Sequence, residues 1–183
     1  MKIIAVIPAR LNSTRLPNKL LRDICGKTLI RRTYEATKNS SLFDDVLVVT
    51  NSEEILKELK NNQIKFLYDK NQYETGTDRI AGVASDIYAD IIINVQGDEP
   101  FINAKTIKLI INVFKNDFDK SIGIVSVMTP ISDDLELNNP NNVKVITDKA
   151  NNAIYFSRYP IPFKININTS VPHKHIGIYA FRK

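Results

Sequence analysis

Three cations lie within ten residues directly after the first apolar run of the chain. The run ends at Pro8, and Arg10, Arg15 and Lys19 follow among side chains that can donate hydrogen bonds. Guanidinium and ammonium groups bind phosphate oxygens, so this spacing predicts a triphosphate-binding loop. The loop matches neither G-x-x-x-x-G-K-[ST] nor G-x-G-x-x-G, so side chains rather than a glycine cradle would hold the phosphates. A solvated basic loop is the alternative that the cations alone leave open.

A second polar turn, residues 96–100, follows the most apolar run of the chain, residues 90–95. It carries Asp98 and Glu99 between a glycine and a proline. A carboxylate at such a position can enter the coordination shell of Mg²⁺ together with phosphate oxygens. We predict Asp98 as the ligand, because Glu99 could equally face solvent. A helix cap or an ordinary turn is the alternative.

Three weaker patterns also carry polar chemistry. Backbone amides in the turn at 74–79 could contact a nucleotide base, although the start of a helix explains the same residues. Arg158 follows an aromatic pair and could bind a carboxylate through two hydrogen bonds, or form a surface ion pair or stack on a ring. His173 and His175 would share one face of a strand, but two ligands without a third make a weak metal site. A surface or sugar-binding role is favoured for them.

Short apolar runs alternate with amphipathic stretches over the first two thirds of the chain. The pattern predicts strands at 2–7, 45–50, 64–68, 90–95, 121–128, 143–147, 153–157 and 175–181. It predicts helices at 28–38, after a cap at Asn51, at 78–87, and from a cap at Asn103 to about 115. This order indicates a three-layer α/β/α fold with a mostly parallel sheet and a small antiparallel extension. Ligands of such sheets bind beyond the carboxyl ends of strands, where both charged turns lie.

Composition narrows the class of protein. The 183 residues suit one domain over 1–183, and 43% hydrophobic with 25% charged residues fit a globular protein. The net charge of +5 favours an anionic partner, but no basic tract or aromatic RNA-binding strand indicates nucleic acid. No apolar stretch approaches the ~18 residues of a membrane span. The lone Cys25, which we expect in the core, fits a reducing compartment, so we expect a cytoplasmic protein without a membrane partner.

Five ordered motifs together resemble one family of enzymes. They are I-P-A-R-L-N-S-T-R-L-P-N-K at 7–19, T-G-T-D-R at 75–79, N-V-Q-G-D-E-P at 94–100, Y-F-S-R-x-P-I-P at 155–162 and H-I-G-I-Y-A-F-R at 175–182. This set resembles the 3-deoxy-manno-octulosonate cytidylyltransferase (CMP-Kdo synthetase) family over the whole chain. The resemblance implies a nucleotide-diphospho-sugar transferase-like fold and a nucleotidyltransferase activity.

The implied reaction is the transfer of a cytidylyl group from CTP to the acidic eight-carbon sugar Kdo. It gives CMP-Kdo and pyrophosphate for lipopolysaccharide biosynthesis, with Mg²⁺ as cofactor and a homodimer as the assembly. A cytidylyltransferase for amino-Kdo or a sialic acid stays open, as does a CTP-binding remnant without turnover. A glycosyltransferase that uses nucleotide sugars is disfavoured, since its D-x-D metal motif is replaced here by Gly97-Asp98-Glu99.

The resemblance also implies roles for individual residues. Those matching phosphate-binding positions are Arg10, Arg15 and Lys19. The cytosine pocket would be formed by Pro8, Ala9, Gly76, Thr77 and Arg79, with Gln96 near the nucleotide. The Kdo site would be formed by Arg158, His175 and Tyr179. Catalysis would fall to Arg10, Lys19 and Asp98, of which Asp98 binds the metal.

The chain departs from the family pattern in three places. After the motif at 155–162 the family usually carries another Arg, whereas Lys164 is the only nearby cation here, and Lys offers a point charge instead of a planar fork. Asn18 and Leu20 replace the usual Gly and Pro of the basic loop, which keeps every charge. Family members continue several tens of residues beyond the position of Lys183, to a helix and an Asp that completes the magnesium site. We therefore expect a fragment, the alternative being a protein with an impaired metal centre.

Overall fold

The computed structural model describes residues 1–11, 16–163 and 171–183. The strands are β1 (Ile3–Ala9), β2 (Asp45–Thr50), β3 (Phe66–Tyr68), β4 (Ile91–Asn94), β5 (Ile124–Pro130), β6 (Lys144–Thr147), β7 (Ala153–Ser157) and β8 (His173–Arg182). The helices are α1 (Leu29–Asn39), α2 (Glu53–Asn61), α3 (Gly76–Gly82), α4 (Ala104–Asn116) and α5 (Asp134–Asn138). The chain forms two compact units: a first unit of Met1–Val125 with Ile178–Lys183, and a second unit of 126–177.

The first unit contains a parallel sheet. Its strands run in the order β3-β2-β1-β4, and the end of β8 pairs antiparallel with β4. All seven residues of β1 are buried, as expected for a strand that is covered on both faces. The predicted mixed α/β fold with a mostly parallel sheet and antiparallel strands is confirmed. Because β1 and β4 are parallel neighbours, the residues that follow them emerge at the same edge of the sheet.

The helix α3 packs on one face of this sheet. Alternate side chains of β1 and β4, namely Ile4, Val6 and Ile92, form a buried cluster with Ile80 of α3 and with Val83 and Ile87 beyond it. Burying each such side chain contributes ~1.5–3 kcal/mol. This packing fixes the beginning of α3 relative to the end of β1. No helix among the described residues is long and apolar enough to cross a membrane.

The second unit is built mainly from antiparallel strands. In it β6 pairs with β7 and with the beginning of β8. The side chain of Lys144 is fully buried, and its Nζ donates hydrogen bonds to the carbonyl oxygens of Asn139 (3.0 Å), Asn142 (2.9 Å) and Arg158 (2.6 Å). Burial, and the nearby charge of Arg158, lower the pKa of Lys144. The buried ammonium therefore ties the turn before β6 to the residue after β7.

Several element boundaries differ from the predictions. The cap of α2 is Ser52, whose Oγ accepts from the amide of Ile55 at 3.2 Å, so the prediction of Asn51 was wrong. The helix α3 begins two residues early, because Thr75 and Asp78 form a reciprocal capping box. The short helix α5 was not predicted. Cys25 is exposed in a turn with φ of 52°, so its assignment to the core was also wrong. The prediction of a single domain stays a prediction.

Candidate active site

Two turns of the first unit pack directly on the end of β1. A Cβ atom added to Gly76 would lie 2.9 Å from Cγ of Pro8, and one added to Gly97 would lie 3.1 Å from the Pro8 carbonyl oxygen. Both distances are shorter than a normal carbon contact, so a side chain at either position would displace its neighbour. The Oγ1 of Thr33 also donates to the Gly97 carbonyl oxygen at 2.9 Å. The start of α3 and the turn after β4 therefore meet at Pro8.

The basic loop after β1 and the acidic turn after β4 face each other. The ammonium of Lys19 forms an ion pair with Oδ2 of Asp98, 79 residues further along the chain. The side chains are 39% and 41% exposed, so the pair adds little to stability and remains open to a ligand. The Nη1 of Arg10 donates to the carbonyl oxygen of Glu74 at 3.1 Å, which joins the same loop to the turn before α3. This arrangement can bind a polyanion.

A cavity of about 240 Å³ lies beside these residues in the first unit. Its lining consists of Arg10, Leu11, Asn51, Ser52, Gln72, Tyr73 and Arg79. Arg79 is only 3% exposed, and its Nη1 has no hydrogen-bond partner among the described residues. Burial and the neighbouring Arg10 lower the pKa of Arg79. A buried guanidinium with an unpaired N–H suits a site that binds an oxygen-rich anion.

Most of the predicted nucleotide residues come together in the first unit. Those near the end of β1, the start of α3 and the turn after β4 are Pro8, Ala9, Arg10, Lys19, Gly76, Thr77, Arg79, Gln96 and Asp98. Arg15 lies outside the described residues. Five residues that line the cavity were not predicted as site residues: the apolar Leu11 and the polar Asn51, Ser52, Gln72 and Tyr73. Asn51 and Ser52 directly follow β2, so the rule that ligands bind beyond strand ends was the signal that could have found them.

The predicted sugar residues are distributed over both units. In the second unit, His175 lies with Nε2 2.7 Å from Oγ of Ser126 and edge-on to the ring of Phe156, with ring centroids 5.1 Å apart. Arg158, also in the second unit, is exposed, and its Nη1 donates to the carbonyl oxygen of Pro140 at 2.8 Å. Burial lowers the pKa of His175, so its imidazole is neutral at pH 7 and acts through hydrogen bonds rather than charge.

Tyr179 lies in the part of β8 that belongs to the first unit. It pairs across the strands with Asn94 and stacks on Phe181, with ring centroids 6.3 Å apart. Paired residues on antiparallel strands project to the same face of a sheet. The side-chain amide of Asn94 is buried without a hydrogen-bond partner within the described part of the chain. Polar groups of this kind are uncommon in a core and lie here directly before the turn that carries Asp98.

Comparison with known proteins decides the family. A sequence model described as Cytidylyltransferase matches residues 4–183. The chain belongs to this cytidylyltransferase family. It is 51% identical over 184 residues to 3-deoxy-manno-octulosonate cytidylyltransferase of Flavobacterium johnsoniae, covering 100% of this chain and 75% of the relative. It is 47% identical to the protein of the same name from Christiangramia forsetii, covering 100% of this chain and 74% of that one.

A solved structure gives the same result for this cytidylyltransferase. It is described as CMP:2-keto-3-deoxy-manno-octonic acid synthetase complexed with CTP, and it superposes with a TM-score of 0.91 at 36% identity. The superposition covers 100% of this chain and 74% of that chain. The cytidylyltransferase therefore spans about three quarters of the length of these relatives. Family membership confirms the predicted resemblance and the class of nucleotidyltransferases.

We expect Gly97→Ala to weaken CTP binding by this cytidylyltransferase about 10-fold and to lower the free energy of unfolding by ~1–2 kcal/mol. The added Cβ would press on the Pro8 carbonyl oxygen and on Leu20, both of which belong to the basic loop or its start. Isothermal titration with CTP and thermal unfolding measure the two effects. Gly123→Ala is the matched control, since nothing lies within 4 Å of its Cβ position. Equal behaviour of the two variants would contradict the proposed close approach.

We expect His175 to make the folded cytidylyltransferase sensitive to acid. Its pKa is lower in the folded protein than its ordinary value of 6.5, so the unfolded chain takes up the proton first. The stabilising contribution is complete above pH 6.5 and is lost progressively as pH falls from 6.5 through the folded-state pKa. His175→Gln should therefore lose less stability than wild type between pH 7 and pH 5. If the melting temperatures of the two proteins fall by the same amount between pH 7 and pH 5, this expectation is wrong.

Proposed function

We propose that the chain transfers a cytidylyl group from CTP to Kdo, giving CMP-Kdo and pyrophosphate. The observation that carries the proposal is the meeting of Lys19 with Asp98 where the chain leaves β1 and β4. A cation and a carboxylate at one strand edge suit a metal-bound triphosphate. The choice of CTP and Kdo is supported by the names of the relatives and by the CTP-bound structure that this chain resembles.

Both reactants are anionic and repel each other, and the cations of the site would offset this repulsion. Arg10 and Lys19, together with Arg15, would neutralise the triphosphate and hold it while the anomeric hydroxyl of Kdo approaches in line with the α-phosphorus. The hydroxyl oxygen forms a bond to the α-phosphorus. At the same time the bond between the α-phosphorus and the oxygen that bridges to the β-phosphate breaks, and that oxygen leaves with pyrophosphate. The hydroxyl proton leaves to solvent, and Lys19 would stabilise the charge of the departing pyrophosphate. This single displacement needs no covalent enzyme intermediate.

The chemistry of the residues around Asp98 fits a magnesium ion. Its carboxylate is partly exposed, and one of its oxygens is engaged by Lys19. No group of three His, Cys, Asp or Glu side chains that could hold a metal occurs in residues 1–11, 16–163 and 171–183. Mg²⁺ commonly uses one or two carboxylates with phosphate oxygens and water, so Asp98 would hold it together with CTP. The bound ion would supply further charge neutralisation at the phosphates.

Three residues would recognise the acidic sugar. A guanidinium binds a carboxylate through paired N–H donors, and Arg158 has exposed donors for the Kdo carboxylate. The neutral imidazole of His175 and the hydroxyl of Tyr179 would hydrogen-bond sugar hydroxyls. We also place the reaction in the cytoplasm and in lipopolysaccharide biosynthesis. Cys25 is the single cysteine of these 183 residues, and this low cysteine content supports the reducing compartment.

Pyrophosphate release tests the proposal directly. CTP and Mg²⁺ would be offered with Kdo, amino-Kdo or N-acetylneuraminate in parallel, to this chain and to the longest natural reading frame. We expect release with Kdo to exceed release with either other sugar by at least about 100-fold in kcat/KM. Preference for another sugar would overturn the choice of Kdo. If both protein forms bind CTP but neither releases pyrophosphate, the protein is a CTP-binding protein without turnover. If neither form binds CTP or releases pyrophosphate, the proposal is wrong.

We propose that the protein is a homodimer formed through β7. Among the strands of residues 1–11, 16–163 and 171–183, β7 lies at the end of the strand order. Its consecutive side chains Ile154, Tyr155 and Phe156 are 66%, 60% and 46% exposed. An edge strand with three exposed large apolar residues favours burial against a second copy.

We expect Tyr155→Lys to convert the dimer to a monomer, because the buried charge would have no partner. Light scattering after gel filtration measures the mass. Leu135→Lys, at an exposed apolar position on α5, is the matched control and should remain dimeric. A monomeric wild-type protein would contradict the assembly.

A further inference from the structure

Tyr73, a lining residue of the cavity, contacts both Asp69 and the cavity residue Arg79. Its hydroxyl donates a hydrogen bond to Oδ2 of Asp69 at 2.5 Å. Its ring lies beneath the guanidinium of Arg79, with 5.6 Å from Cζ to the ring centroid. Tyr73, Arg79 and Arg10 all line the same cavity. The ring is therefore fixed at one end by a carboxylate and contacts a buried cation with its face.

The position of the ring depends on a glycine in α3. A Cβ atom on Gly82 would lie 1.9 Å from Oη of Tyr73 and 2.4 Å from its Cζ. Real Cβ atoms do not approach other atoms so closely, so any side chain at 82 would expel the ring. Gly82 follows Arg79 by three residues and lies on the same side of the helix. The helix thus leaves space for the aromatic ring next to the arginine that the ring contacts.

Burying the charged side chain of Arg79 costs folding free energy, and this cost needs an explanation. Arg79 is almost fully buried, and its Nη1 has no hydrogen-bond partner among residues that the structure describes. It also lies near a second cation, Arg10, which disfavours its charge. The ring of Tyr73 and the carboxylate of Asp69 offset part of this cost. A buried guanidinium with an unpaired N–H can donate a hydrogen bond to a ligand that supplies acceptor oxygens.

We propose that Tyr73 is a positioning residue for the bound nucleotide. Braced by Asp69 and accommodated by Gly82, its ring holds the Arg79 guanidinium where an acceptor oxygen of CTP can take the unpaired N–H. This inference rests on the proposed function, because it takes CTP as the ligand. Tyr73 acts through Arg79 and does not itself contact the reacting atoms.

Titration with CTP tests the inference without requiring turnover. We expect Tyr73→Leu to raise the Kd for CTP about 5- to 10-fold, and Gly82→Ala to do the same by displacing the ring. Tyr73→Phe keeps the ring and loses only the bond to Asp69, so its Kd should rise by about threefold or less. Tyr88→Leu is the matched control and should leave the Kd unchanged. Tyr88 is 82% exposed and does not line the cavity, and its ring centroid lies 4.4 Å from Nζ of Lys2.

A double-mutant cycle separates positioning from a general loss of structure. In an Arg79→Ala background, Tyr73→Leu should no longer change the Kd, because the ring has no guanidinium to hold. In turnover assays, Tyr73→Leu should raise KM for CTP while kcat changes less than about threefold. An unchanged Kd in Tyr73→Leu, or an equal loss in the Arg79→Ala background, would overturn the inference and leave the proposed function intact. If the wild-type chain binds no CTP, the proposed function fails and this inference fails with it.

Discussion

Asp98→Asn is expected to lower kcat about 100- to 1,000-fold while the protein stays folded. The substitution keeps the size of the side chain but removes the negative charge that would bind Mg²⁺ beside the triphosphate. Loss of one preorganised group that stabilises transition-state charge costs ~3–4 kcal/mol, which corresponds to this change in rate. Pyrophosphate release at saturating CTP and Kdo measures kcat. The ion pair with Lys19 is exposed, so the melting temperature should change little.

Glu99→Gln is the matched control for Asp98→Asn. Glu99 is the next residue, is also exposed, and loses the same charge on substitution. It should keep kcat within about twofold of wild type. Magnesium-free binding of CTP adds a second readout, since removal of the Asp98 charge should leave this affinity equal or tighter. Near-normal turnover in Asp98→Asn, or equal losses in both variants, would remove Asp98 from the mechanism.

Lys19→Met is expected to lower kcat/KM for CTP about 10- to 100-fold. The ammonium of Lys19 would contribute a charge-assisted hydrogen bond to the phosphates, which is worth ~1.5–3 kcal/mol. Methionine keeps much of the side-chain length and apolar stem but cannot donate. Because Lys19 is partly exposed, the loss should shrink as ionic strength rises. Initial rates at several salt concentrations measure both effects.

Lys27→Met is the matched control for Lys19→Met. Lys27 pairs with Glu35, a contact of 2.6 Å that lies outside the nucleotide site. Its neutralisation removes the same charge from the first unit, and Glu35 keeps its hydrogen bond from Arg31. The kcat/KM for CTP should therefore stay near wild type. If both variants lose activity equally, the effect belongs to the net charge of the protein and not to Lys19.

The order of strands and helices could be predicted because it follows from local patterns. The wholly apolar run that became β1 and the cap at Asn103 are examples in which a few adjacent residues determine the element. Boundaries were less accurate where two cap residues compete, as at Asn51 and Ser52. The helix α5 spans only five residues, too few to show an amphipathic period.

The candidate site could be predicted in part, for a physical reason. The approach of Lys19 and Asp98 followed from the rule that parallel neighbouring strands end at one edge. The contacts of Tyr73 could not be predicted. Its ring occupies space that is open only because residue 82 is a glycine, and its hydroxyl is held by a hydrogen bond to Asp69. Such packing arises only after α3 has docked on the sheet. Local sequence patterns do not contain it.

A crystal structure with CTP and Mg²⁺ would show directly whether the basic loop and the acidic turn bind the same triphosphate. We expect electron density for the triphosphate between Arg10, Lys19 and Asp98, with the cytosine against Pro8 and Gly76. Density for the nucleotide at any other place, or a triphosphate without contact to Lys19 and Asp98, would contradict it.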